Sequence, residues 1–256
     1  MGEIWDPDAL RLLAAMTAPP PYAYRRQNNK TIRRMKRADI WRKNPLIYFP
    51  ASQDAQSAYL NWASPGSDTL APAGTGPTTH TAWGGIAGDG IGSYFTTGRA
   101  LNALTNATQN SIHLSGRLTS TGAGAGVTGA AVIISTTGTQ TNQIYARSSS
   151  ANPLRTSYRA NAGTSRSYDL GTPLDHKIAN RDNSANQTLY NNGLLVNTDV
   201  DASVALHAGV IILCARPTTY GDGVVGFASA GEAYTAADCL AEYQIVDQHL
   251  RAIRAI

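Results

Sequence analysis

The sequence predicts a mainly β protein, an antiparallel β-sandwich that ends in a single helix and begins with a partly helical, basic arm. Three observations carry this reading. From residue 46 to 231, short apolar or alternating runs are separated by Gly-, Asn-, Ser- and Pro-rich turns with no helical stretch between them, as antiparallel strands allow and parallel strands do not. One of these turns is Asn192-Gly193, a strong hairpin signal. The last twenty residues then switch to a helical period. Composition agrees: among 256 residues only 15% are charged and 24 are glycine, as in turn-rich β proteins with weakly charged surfaces.

The elements follow in order. Asp6-Pro7 offers an N-cap with proline at the first helical position, and Leu10, Leu13, Ala14 and Thr17 fall on one face until Pro19-Pro20-Pro21 stops the helix. Residues 22–26 show no clear period. Residues 31–41 predict a second short helix with Ile32, Met35 and either Asp39 or Ile40 inward. At Asn44 the character changes. Residues 46–49 read as a compact strand, 50–57 as a loop or helical turn, and 64–67 as a turn. Further strands are expected at 92–96, 111–118, 130–136, 143–147, 153–159, 176–183, 187–190 and 210–215, spaced as in a sandwich or jelly roll. Gly122 to Gly129 is glycine-rich but lacks a following Lys-Ser or Lys-Thr, and reads as a turn rather than a phosphate loop. In the closing helix Thr235 caps, Asp238 completes a weak capping box, and Leu240, Tyr243, Val246 or Asp247, Leu250 and Ile253 form the expected buried stripe.

Charge divides the chain into two parts. Arg25, Arg26, Lys30, Arg33, Arg34, Lys36, Arg37, Arg42 and Lys43 crowd a segment whose sole acid is Asp39, so the rest is acidic on balance although the net charge is only +4. Residues 1–44 are therefore assigned as a basic anchoring arm, with those nine cations as its candidate partner-binding residues, and residues 45–256 as the sandwich with its capping helix. Such an arm can order on an acidic surface. Tyr22, Tyr24 and Trp41 interleave with the cations as nucleic-acid binding would use them, but no reading module accompanies them and nucleic acid is disfavoured.

No reaction is indicated. The three glutamates, Glu3, Glu232 and Glu242, are scattered, and no carboxylate pair for glycoside hydrolysis is apparent, although Asp199 and Asp201 share a side of any extended segment. Serines lack a nucleophile elbow. His80, His113, His176, His207 and His249 have no metal-ligand spacing and are expected at strand edges or helix surfaces. Asp89, Asp199, Asp201 and Asp222 are turn oxygens that calcium could use, but turn-making is the simpler role. Trp62, Trp83, Tyr94 and Tyr220 are possible sugar-stacking rings or core residues. No metal and no cofactor is assigned. Cys214 and Cys239 can pair only if the last helix packs on the strand near 214. No run is long and apolar enough to span a bilayer, so membrane insertion is not expected.

Residues 46–51 (Leu-Ile-Tyr-Phe-Pro-Ala), Asn61-Trp62, Gly88-Asp89-Gly90 and 94–98 (Tyr-Phe-Thr-Thr-Gly) resemble the opening of concanavalin A-like, or laminin-G-like, jelly-roll modules of bacteriophage virion proteins. Residues 189–193 (Leu-Tyr-Asn-Asn-Gly), 211–216, 226–231 and the closing helix are similar to the same modules' hairpin, penultimate strand and cap. The resemblance covers residues 45–256. It implies a non-enzymatic virion structural protein, tail-associated or part of a fibre, assembled in the host cytoplasm and displayed for host-surface or subunit contact. A capsid decoration protein is the alternative, and a lectin-like protein that binds or degrades carbohydrate is the second. The implied partners are tail, portal or capsid proteins and a host surface glycan, and the implied assembly is a homo-oligomer, by likeness a trimer.

Overall fold

The computed structural model describes residues 3–121, 131–138, 142–147, 155–216 and 219–255. The glycine-rich segment 122–129 and the first residues of the strands expected at 130 and 153 lie outside them. Helix α1 (Pro7–Ala15) and helix α2 (Tyr22–Arg37) come first, followed by a 3-10 turn (Trp41–Lys43), strand β1 (Leu46–Tyr48) and the short α3 (Ala55–Tyr59). Strands β2 (Ala71–Gly74), β3 (Thr79–Thr81), β4 (Gly85–Ala87), β5 (Ser93–Ala100), β6 (Ile112–Ser120), β7 (Ala131–Thr136), β8 (Gln143–Arg147), β9 (Arg155–Arg159) and β10 (Arg166–Asp169) follow. Then come β11 (Lys177–Arg181), β12 (Asn186–Asn191), β13 (Leu194–Val200), β14 (Val210–Leu213), β15 (Ala215–Arg216), β16 (Thr219–Tyr220), β17 (Val224–Gly231) and helix α4 (Ala236–Arg254).

The strands form two antiparallel sheets. Sheet A runs β13-β12-β11-β6-β17-β4-β3, with β1 also pairing β17, and sheet B runs β10-β9-β8-β7-β14-β5-β2. Their facing sides enclose a core that includes Phe95, Leu114, Ile133, Tyr158, Leu189 and Leu213, all buried. Among the described residues none before Leu46 belongs to this core. The predicted hairpin is present: Asn192 and Gly193 both have positive φ, 51° and 77°, as a two-residue turn between β12 and β13 requires. Glycine is also needed for space, since a Cβ at 193 would lie 2.7 Å from the Leu240 Cα.

The other face of sheet A carries a helical layer. Leu12 of α1, Tyr24, Ile32 and Met35 of α2, and Val246 and Ile253 of α4 share one buried cluster with Phe49, Trp62 and Phe227. Residues 3–44 are thus largely helical and folded against the sheet, and the apolar cluster draws on residues on both sides of residue 44. Several helical faces differ from expectation. In α1 the buried residues are Ala9 and Leu12, joined by Met16 at the C-cap, while Leu10 is exposed. Helix α2 begins nine residues before the expected start, and its buried side includes Gln27, Asn28, Asn29 and Thr31, whose polarity hides the helical period. It ends in a Schellman arrangement, with the Ile40 N–H donating to the Met35 carbonyl at 3.0 Å and Asp39 in the left-handed region.

Helix α4 starts with the expected capping box of Thr235 and Asp238. Its buried side is rotated from the expected stripe, however: Glu242 and His249 are wholly buried, whereas Leu240 is 38% exposed. Both cysteines are buried and free. Cys214 has φ 65° and marks the corner where the chain leaves β14 for the β15–β16 ribbon.

Candidate functional site

The most ionisable side chains in the interior meet under α4. Glu242 Oε2 accepts from His176 Nε2 at 3.0 Å and Ser115 Oγ at 2.7 Å, and Oε1 accepts from Ser229 Oγ at 2.8 Å and the Tyr234 hydroxyl at 3.0 Å. Four donors thus fill the four lone-pair sites of one carboxylate. Burial by itself raises the Glu242 carboxyl, but His176, His113 and Ser115 outweigh it and hold the group well below the usual carboxylate range. His113 donates through Nδ1 to the Glu232 carbonyl and stacks on Tyr234 at 3.8 Å between centroids. Glu242, His176, His113 and Ser115 are fully buried, and these hydrogen bonds fasten α4 to β6, to β17 and to the residue that precedes β11.

His113, His176 and His249 are therefore fully buried, not at edges or surfaces as expected. His249 sits beside Phe49 and Trp62, with ring centroids 4.4 and 5.3 Å away, and its Nδ1 lies 2.9 Å from Thr31 Oγ1. Burial pushes its imidazole down to about 3. Sequence periodicity could not find these residues, because a polar side chain on the buried face of a helix reads as a solvent position until its partner strand is known.

The nine arm cations are spread over the helical layer. Four are used within the fold: Arg26 pairs with Glu3, Lys36 with Asp6 and Asp8, Arg42 with Asp39, and Lys43 with Asp238 at 2.7 Å. Arg25 lies over the Tyr22 ring, Arg33 donates to the Ile4 carbonyl, and Arg34 donates to Gln248 Oε1 on α4. Lys30 and Arg37 are exposed. The interleaved aromatic platform is absent, since Tyr24 is buried edge-on to Trp83 and only Tyr22 stands fully at the surface.

On the other face of sheet B the β15–β16 ribbon packs on β7, and Val132 and Tyr145 of β7 and β8 are buried there. Phe95 points into the inter-sheet core, so its neighbour Tyr94 points away from it. There Tyr94 meets Tyr220 of the ribbon, with centroids 6.4 Å apart and both rings half-buried. Two residues beyond Tyr220, Asp222 Oδ1 accepts from Arg147 Nη2 at 3.0 Å, and at the opposite end of the sheet Ser157 bonds Ser167 across β9 and β10 at 2.6 Å and Arg155 pairs with Asp169 at 3.2 Å. Of the four rings considered from sequence, Trp62 is a core residue, Trp83 packs on Tyr24, and only Tyr94 and Tyr220 come together.

The turn aspartates are engaged separately. Asp89 Oδ1 accepts from the N–H groups of Ile91, Gly92 and Ser93, bonds that outweigh burial and hold its carboxyl far down. Asp199 accepts from the Tyr158 and Tyr168 hydroxyls, Asp201 from Thr164, and Arg166 lies 3.9 Å from each carboxylate. Among the described residues no three His, Cys, Asp or Glu side chains are grouped as metal ligands would be. Among the described residues no helix is long and apolar enough to cross a membrane.

No protein-family model and no curated protein matches the sequence. Solved structures share its architecture. The receptor-binding domain of botulinum neurotoxin C/D mosaic serotype superposes with a TM-score of 0.52 at 11% identity, covering 80% of this chain and 52% of that one. The binding domain of botulinum neurotoxin DC in complex with SialylT gives 0.51 at 11% identity, covering 81% and 52%. Domain 4 of AbnA, a GH43 extracellular arabinanase from Geobacillus stearothermophilus, in complex with arabinotriose, gives 0.50 at 10% identity, covering 77% and 97%. The chain spans about half the length of the neurotoxin binding domains it matches. At these identities the shared property is the fold, a two-sheet antiparallel jelly-roll sandwich.

Proposed function

We propose that the protein is a non-enzymatic structural component of a bacteriophage virion, tail-associated or part of a fibre, that docks through its basic helical layer and displays sheet B outward. The observation that carries the reading is the two-sidedness of the molecule: cations concentrate on α2 over sheet A, while sheet B presents a half-exposed tyrosine pair on the opposite face. The partners are then tail, portal or capsid proteins on one side and neighbouring copies or a host surface on the other. Assembly as a homo-oligomer, in particular a trimer, belongs to the same proposal, as does placement in the virion.

A carbohydrate-binding role of the displayed face is the second reading. It is supported by Tyr94 and Tyr220 beside polar side chains, as saccharide stacking uses, and by solved structures of like fold whose complexes contain SialylT or arabinotriose. Cryo-electron microscopy of particles made with this chain is the test. Low-copy density at tail or fibre positions supports the first reading, and dense coverage of the shell would make the protein a decoration protein. Absence from particles together with glycan binding abolished by Tyr94→Ala would replace both with a lectin-like role.

A further inference from the structure

Helices α2 and α4 leave a groove of about 390 Å³ between them. Its floor is small or apolar, made by Ala38, Ala241 and Ile245, and its rims are Arg34 and Arg37 on one side and Gln244 and Gln248 on the other. Arg34 and Arg37 are about one helical turn apart on α2, with their Cα atoms about 4.5 Å apart along the axis. Neither meets a carboxylate among the described residues, in contrast to Arg26, Lys36, Arg42 and Lys43. The acid of α4 that lies closest in sequence to the rim, Asp247, is turned to Arg117 and Arg251 and does not neutralise it. Arg34 gives one N–H to Gln248 Oε1 across the groove, and its remaining N–H groups, the Arg37 guanidinium and the Gln244 carboxamide over an apolar floor are complementary to carboxylates flanking apolar side chains.

We infer that the groove between α2 and α4 binds an acidic segment of a partner protein, with two carboxylates about one helical turn apart on Arg34 and Arg37 and apolar side chains over Ala38, Ala241 and Ile245. This deepens the proposed attachment role and rests on it, because it names the chemistry that the helical layer recognises. Protein is favoured over nucleic acid because the groove holds no aromatic ring for base stacking and Tyr24, the ring the sequence offered, is buried.

The test uses the full chain and fluorescence anisotropy. The probe is a labelled helical peptide of Ala, Leu and Glu with glutamates four residues apart, set against its Gln-for-Glu isomer and a labelled oligo-dT. The acidic peptide is expected to bind, and Arg34→Glu with Arg37→Glu to weaken it about tenfold or more at unchanged melting temperature. Gln244→Glu with Gln248→Glu, which places acids on the opposite rim, should weaken it similarly. Lys30→Glu with Arg33→Glu, outside the groove, should change it by less than about threefold. Failure of the acidic peptide to bind, equal binding of the Gln isomer, equal loss in the Lys30 and Arg33 variant, or tighter binding of oligo-dT overturns the inference. Particle incorporation separates it from the broader reading. Particles that take up the Arg34→Glu, Arg37→Glu chain as well as the wild type overturn the groove alone, whereas absence of the wild-type chain overturns the virion role.

Discussion

Glu242 and His176 form a wholly buried carboxylate–imidazole pair, 3.0 Å apart, between α4 and sheet A. Because Ser115, Ser229 and Tyr234 donate to the same carboxylate, removing it strands four donors at once. Glu242→Leu is therefore expected to cost roughly 3–5 kcal/mol in urea unfolding. Adding His176→Phe should cost less than the sum of the two single changes, since the pair is then removed together. Additive losses would mean that the two side chains are not coupled.

Acid should destabilise the fold from near neutrality downward. The unfolded chain protonates its histidines near pH 6.5, whereas burial lowers His113 and holds His249 at about 3, so the unfolded state binds more protons as pH falls. Each such histidine contributes a slope of up to about 1.4 kcal/mol per pH unit below 6.5. Glu242 adds a loss at lower pH: its folded value is depressed, so its stabilisation is complete above the unfolded value of about 4.3 and disappears as pH falls through the folded one. Thermal unfolding between pH 8 and 3 measures this, and His249→Phe should flatten the upper part of the slope.

The face that α4 buries can be tested by two leucines of the same helix. Leu250 is 3% exposed and Leu240 is 38% exposed. Leu250→Asp should cost roughly 3 kcal/mol or more, because a charge is forced under the helix, and Leu240→Asp about 1 kcal/mol or less. Equal shifts in melting temperature would contradict the observed rotation of the helix.

Removal of residues 1–44 should separate the two apolar clusters. The inter-sheet core uses nothing before Leu46, so the β circular dichroism signal should persist. The same truncation uncovers Phe49, Trp62 and Val246, so the fragment should melt lower and bind a hydrophobic dye. Unchanged stability would mean that the helical layer contributes nothing to the fold.

What the sequence determined by itself is local. The Asp6 and Thr235 caps, the Asn192-Gly193 turn, and the strands at β6, β8 and β14 were legible because a few adjacent residues set their geometry. Strand β17 was legible only through the family likeness: its Gly and Ala residues carry little β propensity, and they are required by neighbours far away in the chain. A Cβ at Gly231 would fall 1.9 Å from the Lys43 carbonyl oxygen. Tertiary structure alone decided that Glu242, His176 and His249 go inside, that Tyr94 meets Tyr220, and that Arg34 and Arg37 face Gln244 and Gln248 across a groove. The physical reason is the same in each case. A polar or aromatic side chain takes its role from the partner opposite it, and that partner lies up to some two hundred residues away, as His249 does from Thr31.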